Sequence, residues 1–156
     1  MDLIVSGVFR IYLSGGMQKF GRKNFDEANN WRLKVIDFYS EIDGYSDNKI
    51  TVSCFNPNDL YSFKDEHIDD DDRTIMDNDL YYLRKSDVVL VNFNDPKSLG
   101  TMAEIAIAYD RGIPVIGINE EGNNVLHSWQ KAICRKILYS VEEACEYIYD
   151  RYIGLL

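Results

Sequence analysis

The stretch Val88-Val89-Leu90-Val91-Asn92-Phe93, followed shortly by Ser98-Leu99-Gly100-Thr101-Met102-Ala103-Glu104-Ile105-Ala106-Ile107-Ala108-Tyr109, decides how the chain is read. Its first part is a continuous apolar run rich in valine, suited to a parallel strand buried on both faces. Its second part predicts a short loop turning at Gly100 and then a helix. The first or second turn of that helix carries one carboxylate, Glu104, among small and apolar neighbours. An acid near a helix N-terminus is favoured by the helix dipole in any case, but its apolar setting also makes Glu104 the leading candidate for chemistry.

Working outward, positions 75–85 predict a helix with Ile75, Asp79, Tyr82 and Leu83 facing inward. Asp79 stands out, because a charge on an apolar face is costly unless it is paired or functional. Towards the N-terminus, Val8-Phe9-Arg10-Ile11-Tyr12-Leu13 reads as a strand ending at Ser14-Gly15-Gly16, where glycines let backbone approach a ligand. Asn24 and Glu27 have capping-box spacing, and Ala28, Trp31, Val35 and Phe38 follow as a helical core stripe. Positions 50–55 form the next strand, ending at Asn56-Pro57. Towards the C-terminus, Arg111-Gly112 ends the central helix. A strand at 114–118 follows, then a helix over 123–133 with Leu126, Trp129 and Ile133 on one side. A short strand at 136–139 and a helix over 141–152 with Ala144, Ile148 and Tyr152 in a stripe close the chain. Strands alternating with helices predict an α/β fold, a doubly wound, Rossmann-like or flavodoxin-like parallel sheet of about five strands, with residues 1–156 as a single domain.

Composition narrows the function. A net charge of −9 and a pI near 4.6 argue against a broad grip on nucleic acid, which needs clustered Lys and Arg. The three cysteines, Cys54, Cys134 and Cys145, have no metal-binding spacing and fit buried thiols in a reducing compartment. The apolar run 3–13 is interrupted and too short to span a membrane, so a cytoplasmic protein is expected, with no membrane partner. The segment 58–73 contains Asp65, Glu66 and Asp69-Asp70-Asp71-Asp72 but lacks the pattern of a calcium loop. It reads as a solvated loop or lid, with His67 at the surface, and neither metal nor cofactor is expected. The loop 17–23, with Lys19, Arg22 and Lys23, is either solvated or a cradle for an anionic or hydroxyl-rich ligand.

Three polar groups thus fall at strand ends or on flanking helices: Tyr12 with Ser14, Gly15 and Gly16; Asp79; and Ser98 with Gly100 and Glu104. Two carboxylates in one pocket can cleave a glycosidic bond, one as nucleophile at the anomeric carbon. Ile11-Tyr12-Leu13-Ser14-Gly15, Asp77-Asn78-Asp79-Leu80 with Lys85-Ser86-Asp87, and Leu99-Gly100-Thr101-Met102-Ala103-Glu104-Ile105-Ala106 with Ala108 together resemble the nucleoside 2-deoxyribosyltransferase family, which includes deoxynucleotide N-hydrolases. The similarity runs from about residue 10 to 130.

The resemblance implies that Glu104 is the nucleophile, that Tyr12 positions it, and that Asp79 lies near the base and assists its departure. The helix N-terminus is expected to keep Glu104 ionised. The implied partners are a small nucleoside or nucleotide and a free base. The family often forms homo-oligomers with shared active sites, completed by a neighbouring subunit's polar residue after the fourth strand; here Asn124, His127 and Ser128 are the candidates. Two departures matter. Where transferases of the family carry an acid six positions before the nucleophile, this chain has Ser98, as in the N-hydrolases, where the serine helps bind a 5′-phosphate. Where the hydrolases carry an arginine in the first loop, this chain has Gln18, with Arg22 and Lys23 as substitutes in a different geometry. The leading expectation is transfer of a 2-deoxyribosyl group between bases. The alternatives are hydrolysis of 2-deoxynucleoside 5′-monophosphates and a nucleotide sensor without turnover.

Overall fold

A computed structural model describes residues 6–17, 25–43, 49–59 and 71–156. The loop bearing Gln18, Lys19, Arg22 and Lys23, the Asn24 cap, and Asp65, Glu66, His67, Asp69 and Asp70 lie outside the described residues. Five strands, β1 (Ser6–Gly15), β2 (Lys49–Phe55), β3 (Val88–Asn92), β4 (Val115–Ile118) and β5 (Lys136–Leu138), form one sheet in the order β2-β1-β3-β4-β5. Every pairing is parallel. The helices are α1 (Phe25–Asp43), α2 (Asp72–Arg84), α3 (Leu99–Asp110), α4 (Ser128–Ile133) and α5 (Val141–Ile148), the last running into a wider turn at Tyr149–Ile153. The expected doubly wound α/β fold is what the chain forms.

The alternation of side chains along β1 divides the interior in two. Phe9, Ile11 and Leu13 face α1 and α5, where Trp31, Val35, Tyr39, Ala144, Cys145 and Ile148 complete one core. Tyr12 faces the other way, with Leu83 of α2, Ile105 and Ala108 of α3 and Ile133 of α4. Tyr12 stacks on Phe55 at 5.3 Å between ring centroids, and Phe55 stacks on Tyr82 at 4.3 Å. No helix among the described residues is long and apolar enough to cross a membrane.

Several local expectations change. Gly100 does not turn a loop; it lies in the first turn of α3, which Ser98 caps by accepting from the Thr101 amide. The helix expected over 123–133 is only Ser128–Ile133. The Asn119 side chain donates to the Asn124 carbonyl and accepts from the Asn124 amide, and Asn124 Nδ2 donates to the Phe93 carbonyl, so side chains rather than helical turns satisfy this segment. Tyr82, expected inward, is 39% exposed, and Trp129, expected on one side with Leu126 and Ile133, is 67% exposed while those two are buried. At the described ends of the 58–73 segment, Asn58 is buried, and the exposed Asp71 caps α2 by accepting from the Thr74 amide.

Candidate active site

The strand order reverses between β1 and β3, and open α/β sheets bind ligands in the crevice beyond the carboxyl ends at such a point. β1 carries Tyr12 and Ser14 onto the face covered by α2 and α3 by simple alternation. Asp79 comes from the middle of α2 and Glu104 from the second turn of α3. A cleft of about 370 Å³ is lined by Gly15, Arg32, Asn58, Asp79, Ser98 and Glu104 among others. An adjoining hollow of about 360 Å³ shares Ile75, Asp79, Gly100 and Glu104 with it and adds Met76, Leu80, Ala103 and Ile107. The carboxyl pair therefore stands where the two hollows meet.

Burial dominates the electrostatics. Glu104 is half-buried as a residue, yet its Oε2 has essentially no solvent access and no hydrogen-bond partner among the described residues. Loss of solvation pushes its carboxyl up to about 7. The Tyr12 hydroxyl opposes this as a donor, Asp79 adds to it, and Arg32 and the Ser14 hydroxyl oppose it. Neither hydroxyl completes a hydrogen bond of full distance and angle. Burial also raises Asp79 to about 7, against the pull of Arg32. The expectation that the helix N-terminus keeps Glu104 ionised is thus corrected. The dipole's influence is confined to the first turn, and Glu104 lies beyond it, where desolvation is the larger effect. Burial and the nearby acids hold the Tyr12 phenol well above its usual range, so it stays a neutral O–H donor.

Arg32 was not singled out in the sequence, although its signal was there: a cation four residues after Ala28 on the apolar stripe of α1. It is 1% exposed, donating to the carbonyls of Ala28 at 2.7 Å and Gly15 at 3.1 Å, with its guanidinium over the Trp31 ring. Burial lowers it to about 10, so it remains a cation beside the two acids at neutral pH.

Other predicted residues are placed differently. A Cβ on Gly15 would meet Trp31 and Arg32 at 3.0 and 3.3 Å, and one on Gly16 would meet the Asp95 Cβ at 2.7 Å. These glycines admit neighbouring side chains, and only Gly15 lines the cleft. The Gly16 amide instead donates to Asn94 Oδ1. Asn124 and His127 line a separate, open cleft of about 900 Å³ with Asp95, Lys97 and Gln130. Ser128, exposed, begins α4 beside it, and His127 caps α4 with Gln130 as its reciprocal partner.

No protein-family model and no curated protein sequence matches the chain. Solved structures do share its architecture. A conserved protein from Enterococcus faecalis V583 superposes with a TM-score of 0.70 at 18% identity, covering 92% of this chain and 99% of its own. A 2-deoxyribosyltransferase from Bacillus psychrosaccharolyticus gives 0.65 at 15% identity, covering 94% of this chain and 95% of its own. A CMP N-glycosidase from Clostridium botulinum gives 0.55 at 16% identity, covering 89% and 96%. At such identities the likeness is one of fold, and the chain has the five-stranded parallel α/β fold of the 2-deoxyribosyltransferase from Bacillus psychrosaccharolyticus.

Proposed function

We propose that the chain is an enzyme of N-glycosidic bonds, a nucleoside 2-deoxyribosyltransferase acting through Glu104. The observation that carries this reading is that Asp79 and Glu104, from distant parts of the sequence, line one cleft at the strand-order reversal, with the buried Tyr12 hydroxyl close to Glu104. In the first half-reaction a Glu104 carboxylate oxygen bonds to the anomeric carbon and the carbon–nitrogen bond breaks. The base leaves with that electron pair and takes the proton that Asp79 holds. In the second, a nitrogen of another base attacks the same carbon, Glu104 departs as a carboxylate, and Asp79 recovers a proton. Tyr12, whose neutral hydroxyl lies close to Glu104, donates to it once the hydrogen bond tightens in the substrate complex, and so orients it. Two acids that both titrate near neutrality suit this exchange, since one must be charged while the other is protonated.

The test is incubation with a 2-deoxynucleoside and a second free base. The exchanged nucleoside is expected, and its formation falls at least 10³-fold in Glu104→Ala. No product with any base pair sinks the reading. The superposing deoxyribosyltransferase and CMP N-glycosidase support the general class.

A second reading, hydrolysis of a 2-deoxynucleoside 5′-monophosphate, draws on the N-terminus of α3. Ser98, Leu99, Gly100 and Thr101 line the cleft there, and such a terminus favours a phosphate. It expects free base and sugar phosphate from the nucleotide, with the preference for nucleotide lost in Ser98→Ala. The proposal extends to a homo-oligomer in which His127 and Ser128, exposed at the outer cleft, serve a neighbouring copy's site. Asn124 is less suited, because its amide donor is held by the Phe93 carbonyl of its own chain.

A further inference from the structure

Beyond the two acids, Asn58 in the cleft wall carries a buried neutral acceptor whose direction is fixed by hydrogen bonds among three asparagines. The Asn58 amide N–H donates to Asn56 Oδ1 at 3.0 Å, and a backbone donor leaves no doubt which end of the Asn56 side chain is oxygen. Asn56 Nδ2 therefore faces Asn29, and Asn29 Oδ1 accepts from it at 2.9 Å. The same Asn29 oxygen accepts from Asn58 Nδ2, also at 2.9 Å. With its nitrogen tied to α1, Asn58 has its Oδ1 pointing elsewhere, without a hydrogen-bond partner among the described residues. Asn58 is 6% exposed and lines the same cleft as Asp79, Arg32 and Glu104.

A buried carbonyl without a donor is costly unless something else supplies the N–H or O–H. Unlike Asp79 and Glu104, this acceptor does not change with pH. We infer that Asn58 is a specificity-determining residue whose Oδ1 accepts a hydrogen bond from a donor on the substrate, a sugar hydroxyl or a base amine. The inference rests on the nucleoside reading above. A site built around such an acceptor rejects an analogue lacking the donor, because the acceptor is then left unpaired.

The experiment measures kcat/KM on two matched pairs. One pair is a 2-deoxynucleoside and its 2,3-dideoxy analogue, which lacks the sugar 3-hydroxyl. The other is a 2-deoxynucleoside of adenine and one of unsubstituted purine, which lacks the exocyclic amine. The wild type is expected to favour the donor-bearing member of one pair at least tenfold, and Asn58→Ala to reduce that ratio to near one, mainly through KM, with the other pair's ratio unmoved. The pair that responds identifies the donor. Equal rates within both wild-type pairs overturn the inference whether or not the variant folds, as does a ratio unchanged in Asn58→Ala. If the wild type turns over none of the four compounds, the enzymatic reading fails separately, and calorimetric titration of the same compounds decides. At least tenfold tighter binding of one donor-bearing member, lost in Asn58→Ala, supports the inference; equal binding within both pairs, or no binding, overturns it.

Discussion

Glu104 and Asp79 are both raised by burial to about 7, and Arg32 stands beside both as a cation. Nucleophilic attack needs Glu104 deprotonated, so the rate climbs as pH rises through the lower step of the pair. Departure of the base needs Asp79 protonated, so the rate falls again above the upper step. The profile of kcat/KM against pH is therefore expected to be a bell with its maximum near 7, its limbs belonging to the coupled pair rather than to either residue. Asp79→Asn is expected to remove the falling limb and to lower the maximum by about 10²-fold; steady-state kinetics between pH 5 and 9 check both. Asp79 and Glu104 stand out in the sequence because each is an acid among apolar neighbours, whereas Tyr12 fits its strand pattern and is picked out only by the family resemblance. Arg32 and Asn58 were not legible: one hid in a stripe read only for its apolar members, the other at the start of a segment read as loop. The Glu104 proton affinity was misjudged because the helix dipole follows from local sequence, whereas desolvation depends on what the rest of the chain lays over the site.

At the scale of elements, the helix starts are set by side-chain caps. Ser98 accepts from Thr101, Asp71 from Thr74, and Ser140 from the Glu143 amide at 3.1 Å. Ser140 serves α5, on the face opposite the cleft, so it separates helix stability from chemistry. Ser140→Ala is expected to cost about 1 kcal/mol, seen as a fall in Tm of about 3 °C, with base exchange unchanged. The central strand and helix were legible because valine repetition and small-residue spacing are strong periodic signals. The stretch before α4 was not, since its order comes from the Asn119–Asn124 exchange and the Phe93 carbonyl, contacts across the fold that no local period announces.

For the whole molecule, the two raised carboxyls couple stability to pH. The folded chain holds their protons more tightly than the unfolded chain does. Their stabilising contribution is therefore complete below about pH 4 and is lost as pH rises through about 7. Between pH 6 and 8, Glu104 accounts for a loss of about 1 kcal/mol, or about 3 °C in Tm, and Asp79, being partly exposed, adds less. Thermal melts are expected to show this decline, and Glu104→Gln to flatten it and to be the more stable protein at pH 8. The doubly wound sheet itself was legible from strand–helix alternation, but not its order, because nothing local tells β1 that both its edges will be covered. Of the five strands β1 comes first along the chain, and it is flanked by β2 on one side and β3 on the other. A nascent chain that has passed Phe55 but not reached Asn92 holds Phe9, Ile11 and Leu13 on a strand with one open edge, a template for pairing with another chain. Interrupted translation products ending in that interval are thus expected to aggregate more readily than the chain with β3 in place.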